Sequence, residues 1–533
     1  MFSKSLLCAA LGVTLSLSGV QAQAVADVPL DIDGAFQSAT ATTGDFNSGG
    51  FIVCNGQSVI VPKNLQITFP AAFVGFKDFA GNSGAYIGYQ CSITGNIVNG
   101  RPIAAQIAIA QYSTTTSSGY VDSLSFNGDI KIKNGPTIRI NDPRGVYSVG
   151  YADKAYDPNF TADDANPSIS SFSGFPMCVP RKADDPLCPL SQRPDVAGGG
   201  KQGTIQAKDA KVMAPLMPGD FVTFSGYQSG EKIIVYNLVA SNIQITTVGA
   251  PTYIRMEDAN IGVWTADTVN QEIAQTRFVG YTSDSNNNVN PIKIYAIEYD
   301  PCTGEPKDRE IAGVAVPNTE ARNKFEYRLK ATQNDQYARE YRVVAGTGTV
   351  TTTNNILAGQ YVMPVSEWIQ PEDSTPGRPP TGHDFRSYGW MSKGLGRDAD
   401  GNLWGPLDPF PQGNPPPIFD NSKCAPVTPP TPASSSSAPP ASSPTPKVYP
   451  DVVTMPPYTW ASSQSGTLTV SCTSNNTNDA LVNMKLSYSN KDGITTGLGM
   501  TAAGGGRWTF NSNKIKQPTS VSCKSSLGGS ATR

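Results

Sequence analysis

The sequence predicts a mainly β protein: two or more sandwich- or barrel-like units in a large body, then a disordered Ser/Pro linker and a small C-terminal immunoglobulin-like sandwich. Three observations predict it. Apolar residues recur with a period of two in short runs, as in Leu124–Ile140, where Asn127-Gly128 and Asn134-Gly135-Pro136 interrupt the alternation. That period buries one face of a sheet and wets the other. Nine cysteines leave eight once Cys8 of the apolar leader is set aside, an even number suited to an oxidising compartment. Residues 425–449, APVTPPTPASSSSAPPASSPTPKVY, carry Lys447 as their one charge and hold too little apolar surface to offset the entropy of ordering.

A chain of 533 residues is too long for one core. Its charged fraction of 16% falls below the roughly 25% of an average globular chain, and 51 glycines and 43 prolines supply turns. Net charge is −3, which gives no global reason to expect nucleic acid or a membrane surface as partner. The sign splits at the linker. From Lys447 onward eight basic residues face three acidic ones, a net +5 that leaves −8 for the rest.

Residues 1–22 read as a secretory signal: Lys4, an apolar run from Leu6 to Val20, and small residues at Val20-Gln21-Ala22. The expected localisation is therefore secreted and extracellular, with cell-wall association as the further expectation, and the polar C-terminal residues predict no membrane anchor. Residues 23–154 are expected to form an N-terminal β domain, with Phe51–Val61 as a hairpin about Asn55-Gly56. Residues 155–203 lose periodicity and read as a loop-rich connection. Residues 204–365 regain it at Phe221–Phe224, Lys232–Val239, Ile243–Thr247, Tyr253–Met256 and Ile292–Asp300, a second β domain. Within it Ala321, Phe325 and Leu329, spaced by four, predict a helix over Asn318–Lys330.

Residues 366–424 carry Trp368, Trp390 and Trp404 among glycines and prolines with little period of either kind. Large aromatics in irregular chain usually pin a loop into a groove, so this segment is expected to wrap back over the body and be closed by Cys424. The functional reading, ranked second, is an aromatic platform for a sugar ring. Residues 425–449 are the linker and 450–533 the C-terminal module. There Leu468, Val470 and Cys472 share one strand face, Met484, Leu486 and Tyr488 another, and Cys523 lies on a closing strand, so Cys472–Cys523 should join two sheets. The remaining pairs expected are Cys178–Cys188 around an irregular loop and, from proximity alone, Cys54–Cys91 and Cys302–Cys424.

Catalytic groups are sparse. A serine-type triad needs a base, and His383 is the only histidine; no G-x-S-x-G elbow occurs. Asp398-Ala-Asp-Gly matches part of a calcium loop, but its first ligand position falls on Gly396, and a β-turn is the simpler account. No CxxC occurs, so no metal and no cofactor are expected. Glycoside hydrolysis needs only two carboxylates; the candidates are Glu257 with Asp258, Glu298 with Asp300, and Glu367 beside Trp368. Asn159 and Asn475 head N-glycosylation sequons. In the C-terminal module Tyr458, Trp460 and Trp508 are the candidate stacking surfaces, since an aromatic face matches a pyranose face.

The plan of signal, large body, Ser/Thr/Pro linker and small β module resembles that of fungal secreted proteins. The resemblance implies a terminal module that binds cell-wall or plant-wall polysaccharide. The expectation is a secreted, non-catalytic protein that binds extracellular polysaccharide. The alternatives are a carbohydrate-active hydrolase with paired carboxylates, targeted by its C-terminal module, and a structural surface protein.

Overall fold

A computed structural model describes residues 27–110, 116–150, 156–163, 165–195, 202–262, 276–284, 291–316, 322–328, 336–369, 376–377, 379–425, 453–462, 466–474, 482, 484–503, 506–526 and 529–533. The expected signal, the linker beyond Ala425 and the sequon at Asn475 lie outside these residues. The chain is mainly β, with two short α-helices among the described residues.

The first unit is a barrel. Strands β1 (Val28–Ala41), β2 (Gly50–Cys54) and β3 (Gln57–Val61) form a meander, followed by β4 (Gln66–Thr68), β5 (Phe73–Gly75), β6 (Gln90–Val98) and β7 (Arg101–Ala110). They order as β3-β2-β1-β6-β7-β4-β5, and β3 also pairs with β7 through Ile60↔Ile103, a parallel bridge that closes five strands on themselves. The β2–β3 hairpin turns at Asn55-Gly56, both at positive φ (49° and 77°), as a two-residue type I′ turn requires. Alternation places Ile32, Phe36, Ile52, Val59, Ile93 and Ile107 in the barrel core.

The second unit repeats that connectivity. Strands β8 (Ser117–Leu124), β9 (Asp129–Ile132) and β10 (Thr137–Ile140) form a meander, and the hairpin Phe221–Ser229/Lys232–Ala240 completes it. The first hairpin strand pairs antiparallel with β8, and the second closes parallel onto β10 from Thr137↔Lys232 to Ile140↔Val235. Three meander strands, then two that close first-to-fourth and third-to-fifth, is the connectivity of an oligonucleotide/oligosaccharide-binding barrel. The boundary expected at residue 154 is thereby corrected: β8–β10 belong with residues 203–246 and share their core, while residues 155–203 are a long excursion within one unit. Closure by parallel pairing between strands nearly a hundred residues apart leaves no local trace in sequence.

Residues 254–369 form a sandwich of two four-stranded sheets. One orders Lys324–Arg328, Arg277–Thr282, Ile254–Gly262, Glu367–Ile369; the other orders Pro306–Val314, Ile292–Tyr299, Glu340–Val344, Gln360–Pro364. The helix expected over Asn318–Lys330 is corrected: Lys324–Arg328 is a strand paired with Arg277–Thr282. Phe325 is buried while Lys324 and Glu326 face outward, so a period of two prevails over the spacing of four. The sandwich and the first barrel share one hydrophobic core, which also takes in Phe385, Tyr388, Met391 and Leu407 of the segment expected to wrap.

The C-terminal module is the small sandwich expected. Val453–Thr454, Thr467–Ser474 and Arg507–Ser512 line one sheet; Gly493–Gly499, Met484–Asn490, Ser520–Ser525 and Ser530–Thr532 form the other. Cys472 and Cys523 join the two sheets across a core of Leu468, Val470, Leu486 and Trp508, the position an immunoglobulin-type disulfide takes.

Cys178–Cys188 and Cys302–Cys424 are also bonded. The pairing expected between Cys54 and Cys91 is corrected: both are free thiols, fully buried in the first barrel. β1 lies between the strands that carry them, with Phe36 opposite Cys54 and Gly34 opposite Cys91. The Cys54 thiol instead donates to the Cys91 carbonyl at 3.1 Å. Contact with Cys54 and then burial push the Cys91 thiol far up, so the Cys91 sulfur is not primed to react.

Candidate functional site

The wrapping segment makes the site. It returns over the first barrel through polar anchors: the Asn96 amide donates to the carbonyls of His383 and Pro411, each at 2.9 Å, and the His383 N–H donates back to Asn96 at 2.8 Å. His383 Nε2 lies 2.6 Å from an Asp31 carboxylate oxygen on β1. The one histidine is thus buried as a pin between segment and barrel. Farther along, Asn64 donates to the Pro406 carbonyl at 2.6 Å, and Lys63 and Asp408 form a β-bridge.

Glycines let the segment touch the sandwich. Gly304 and Gly396 both hold positive φ (76° and 74°), and a Cβ on either would sit 2.0–2.2 Å from the carbonyl of Arg397 or Asp300. The Cys302–Cys424 bond clamps the same corner, and two carboxylates order its turns. Asp300 accepts N–H bonds from Thr303 at 2.7 Å and Cys302 at 2.9 Å, which hold its carboxyl below the ordinary 3.8. Asp420, bonded by the Ser422 hydroxyl and N–H, is lowered likewise. A carboxyl whose folded pKa is depressed contributes its stability above the unfolded value and loses it as pH falls through the folded one. Carboxyl 13C titrations are therefore expected to give midpoints below 3.8 for both; a midpoint above 3.8 at either would contradict these turns.

Between barrel, sandwich and wrap lies a narrow cleft of about 300 Å³, counting space open to solvent. Gln66 and Thr68 of β4 and Gln106 of β7 form its floor, since they alternate with the core residues Ile67 and Ile107. Phe73 of β5 forms one wall. Trp368, on the last sandwich strand, and Trp390, on the short helix Gly389–Lys393, form the other, edge to face with centroids 6.3 Å apart. Tyr388 packs against Trp368 with the rings tilted at 38° and their centroids 4.8 Å apart.

Arg339 spans the cleft. Its guanidinium carbon sits 3.7 Å from the Phe73 ring centre, and it donates to Gln66 at 2.6 Å and to the Glu340 carboxylate at 2.9 Å. Tyr299 donates to the same carboxylate at 2.7 Å. Three buried donors of the lining, the indole N–H groups of Trp368 and Trp390 and the Arg339 Nε–H, have no partner among the described residues. Buried donors nearly always find an acceptor, so three in one place are chemically informative.

The other sequence candidates are placed differently. Trp404 is buried, donates to Asp398 at 2.9 Å and packs edge-on against Phe46. Asp398 also accepts from the N–H groups of Asp400 and Asn402, so the calcium-like stretch is a turn whose carboxylate is filled by protein donors. Glu298 is bonded to Arg309 at 2.6 Å, and Glu257 accepts from the Tyr281 hydroxyl at 2.9 Å. Asp258 lies 3.9 Å from Arg277. The side chain of Glu367 is outside the described set. Asn159 is half-buried and donates its amide to the Tyr86 hydroxyl at 2.9 Å.

In the C-terminal module, Trp508 is 6% exposed, which corrects its candidacy as a stacking surface: it is core. Tyr458 and Trp460 are half-buried on the same side of that core, with the Trp460 indole donating to the Ile515 carbonyl at 2.8 Å. Sequence composition pointed to Trp368 and Trp390. It missed Phe73, Gln66, Gln106 and Arg339, which come from elements up to three hundred residues away and carry no local signal.

No protein-family model matches the chain, and no curated protein matches it. Among solved structures, a marsupial T cell receptor overlaps at 9% identity, covering 59% of this chain and 71% of that one, with a TM-score of 0.13. The exo-β-D-glucosaminidase CsxA, solved with a glucosamine-configured castanospermine and an amino-australine analogue, overlaps at 13% identity, 53% of this chain and 26% of that one, with a TM-score of 0.11. At these scores neither likeness bears on fold or function.

Proposed function

We propose that this is a secreted, non-catalytic protein that binds extracellular or cell-wall polysaccharide, with the body supplying the principal site and the C-terminal module a second, weaker one. The observation that carries the reading is the cleft of Phe73, Trp368 and Trp390 over a floor of amide and hydroxyl side chains. Aromatic rings beside amides are what a sugar offers partners for: apolar C–H faces and a rim of hydroxyls. Three disulfides support an oxidising destination. Among the described residues no helix is long and apolar enough to cross a membrane. The engagement of Glu257, Glu298 and Asp300 in local bonds supports the non-catalytic reading, since a glycosidase acid must stay free to deliver a proton.

The test is retention of the secreted full-length protein on insoluble chitin, β-glucan and cellulose. Retention on at least one, weakened tenfold or more by Trp390→Ala, is expected; stacking losses of this kind run to about 1–3 kcal/mol. Failure to bind any of the three, or any soluble oligosaccharide, would overturn the reading.

A further inference from the structure

The positive charge of the C-terminal module has a definite place in the fold. We propose that the outer face of its Met484–Asn490 and Ser520–Ser525 strands binds an acidic polysaccharide through Lys485 and Lys524. This deepens the polysaccharide reading above and rests on it.

The two strands are neighbours at the centre of one sheet of the small sandwich. Alternation sends Met484, Leu486, Val521 and Cys523 into the core. The residues between them face outward, and register sets them in matched pairs: Lys485 opposite Lys524, Ser487 opposite Ser522, Ser489 opposite Ser520. Both lysines are exposed. Directly opposed side chains stand with Cβ atoms about 4.5–5.5 Å apart, and like charges there repel. Nothing in the sheet offsets this. On their other flanks Lys485 meets Gly499 and Lys524 meets Ser530, and none of the four strands contains Asp or Glu. Among the module's described residues Asp492 is the one acidic side chain, and Lys516 holds it at 2.8 Å.

The face thus carries an opposed ammonium pair without a counterion in its own sheet, which an anionic ligand would supply. The four serines extend the face away from the lysines. Their side chains are short, and their hydroxyls can donate and accept. At about 3.3 Å per residue the row from Lys485 to Ser489 runs about 13 Å, long enough for an extended glycan to lie along. Acidic groups on such a chain would meet the lysines while its hydroxyls meet the serines. A single-stranded nucleic acid would need aromatic rings to stack on, and these outward pairs include none. A membrane would need an apolar face; the one large apolar group here, Ile494 opposite Ser489, stands alone at the hairpin.

The test titrates the full-length protein with polygalacturonate and with dextran sulfate, against dextran as the uncharged control. Binding to at least one acidic polymer, weakened tenfold or more between 0.05 and 0.5 M salt, is expected; the two arms tell carboxylate from sulfate. Lys485→Gln with Lys524→Gln should cut that binding tenfold or more while the melting temperature stays level or rises, because a repulsion is removed. Arg507→Glu, on the opposite sheet, shifts the net charge by the same amount and should leave binding within twofold. Equal losses from the two variants would mean a bulk charge effect and would overturn the proposal, as would tighter binding to dextran, to single-stranded DNA or to phosphatidylglycerol vesicles. No binding to either acidic polymer would overturn it too, while retention on chitin, β-glucan or cellulose would leave the parent reading standing. Failure on every polymer would remove both.

Discussion

Replacing Asp220 by asparagine is expected to destabilise the body by about 3–5 kcal/mol. Asp220 and Arg193 are both fully buried in the second barrel, joined by two parallel bonds of 2.9 and 2.8 Å. The carboxylate also accepts the Met217 N–H at 2.9 Å, and the guanidinium donates to the Pro215 carbonyl at 2.8 Å. Together these bonds tie the end of the excursion, at Arg193, to the start of the strand Phe221–Ser229. Asparagine keeps the shape but leaves the guanidinium charge buried without its counterion, and the penalty is that of the stranded charge rather than of the lost attraction.

A control separates the two terms. Arg193→Met with Asp220→Leu removes both charges and should recover most of the loss, though the Met217 N–H and Pro215 carbonyl then lose a partner at about 1 kcal/mol or more each. Guanidinium unfolding followed by near-UV circular dichroism reads all three proteins. A loss under 1 kcal/mol for Asp220→Asn would mean that water reaches the pair.

This ion pair shows where sequence reading stops. Arg193 and Asp220 each sit in proline-rich chain with no period, and nothing local says that they meet. The same holds for barrel closure, where Ile60↔Ile103 and Thr137↔Lys232 unite strands distant in sequence. What was legible is what short-range stereochemistry dictates. Asn55-Gly56 specified a type I′ hairpin because both residues tolerate positive φ. Alternation placed Cys472 and Cys523 inside one small sandwich, where they bond. Residue type alone misled at Trp508: an aromatic side chain suits a sugar face and a core equally, and the sandwich buries it. The spacing of four among Ala321, Phe325 and Leu329 misled, because three residues sample too few turns to fix a period, and Phe325 sits in a strand. The cleft was half visible. Tryptophans in irregular chain announced that something large was being buried, but the floor that receives them belongs to β4 and β7, which carry no sign of it in their own sequence.

Removing the Cys302–Cys424 bond by a double Cys→Ser substitution is the second large effect, and it should divide stability from binding. The bond closes a loop of 122 residues, so by chain entropy alone its loss favours the unfolded state by about 4–5 kcal/mol. Most of that acts on the unfolded chain. In the native state the wrap has other anchors: the Asn96 bonds to His383 and Pro411, Asn64 to Pro406, and the Leu407 N–H to the Met391 carbonyl at 2.8 Å. Trp390 lies inside this anchored stretch, well before Cys424. The melting temperature should therefore fall by several degrees while affinity for the oligosaccharide bound by the intact protein stays within twofold at 25 °C. Calorimetric melting and sugar titration on one preparation give both numbers. Were affinity to collapse with stability, the disulfide would be holding the cleft's walls together in the folded protein, and the polar anchors along the barrel would be too weak to do so.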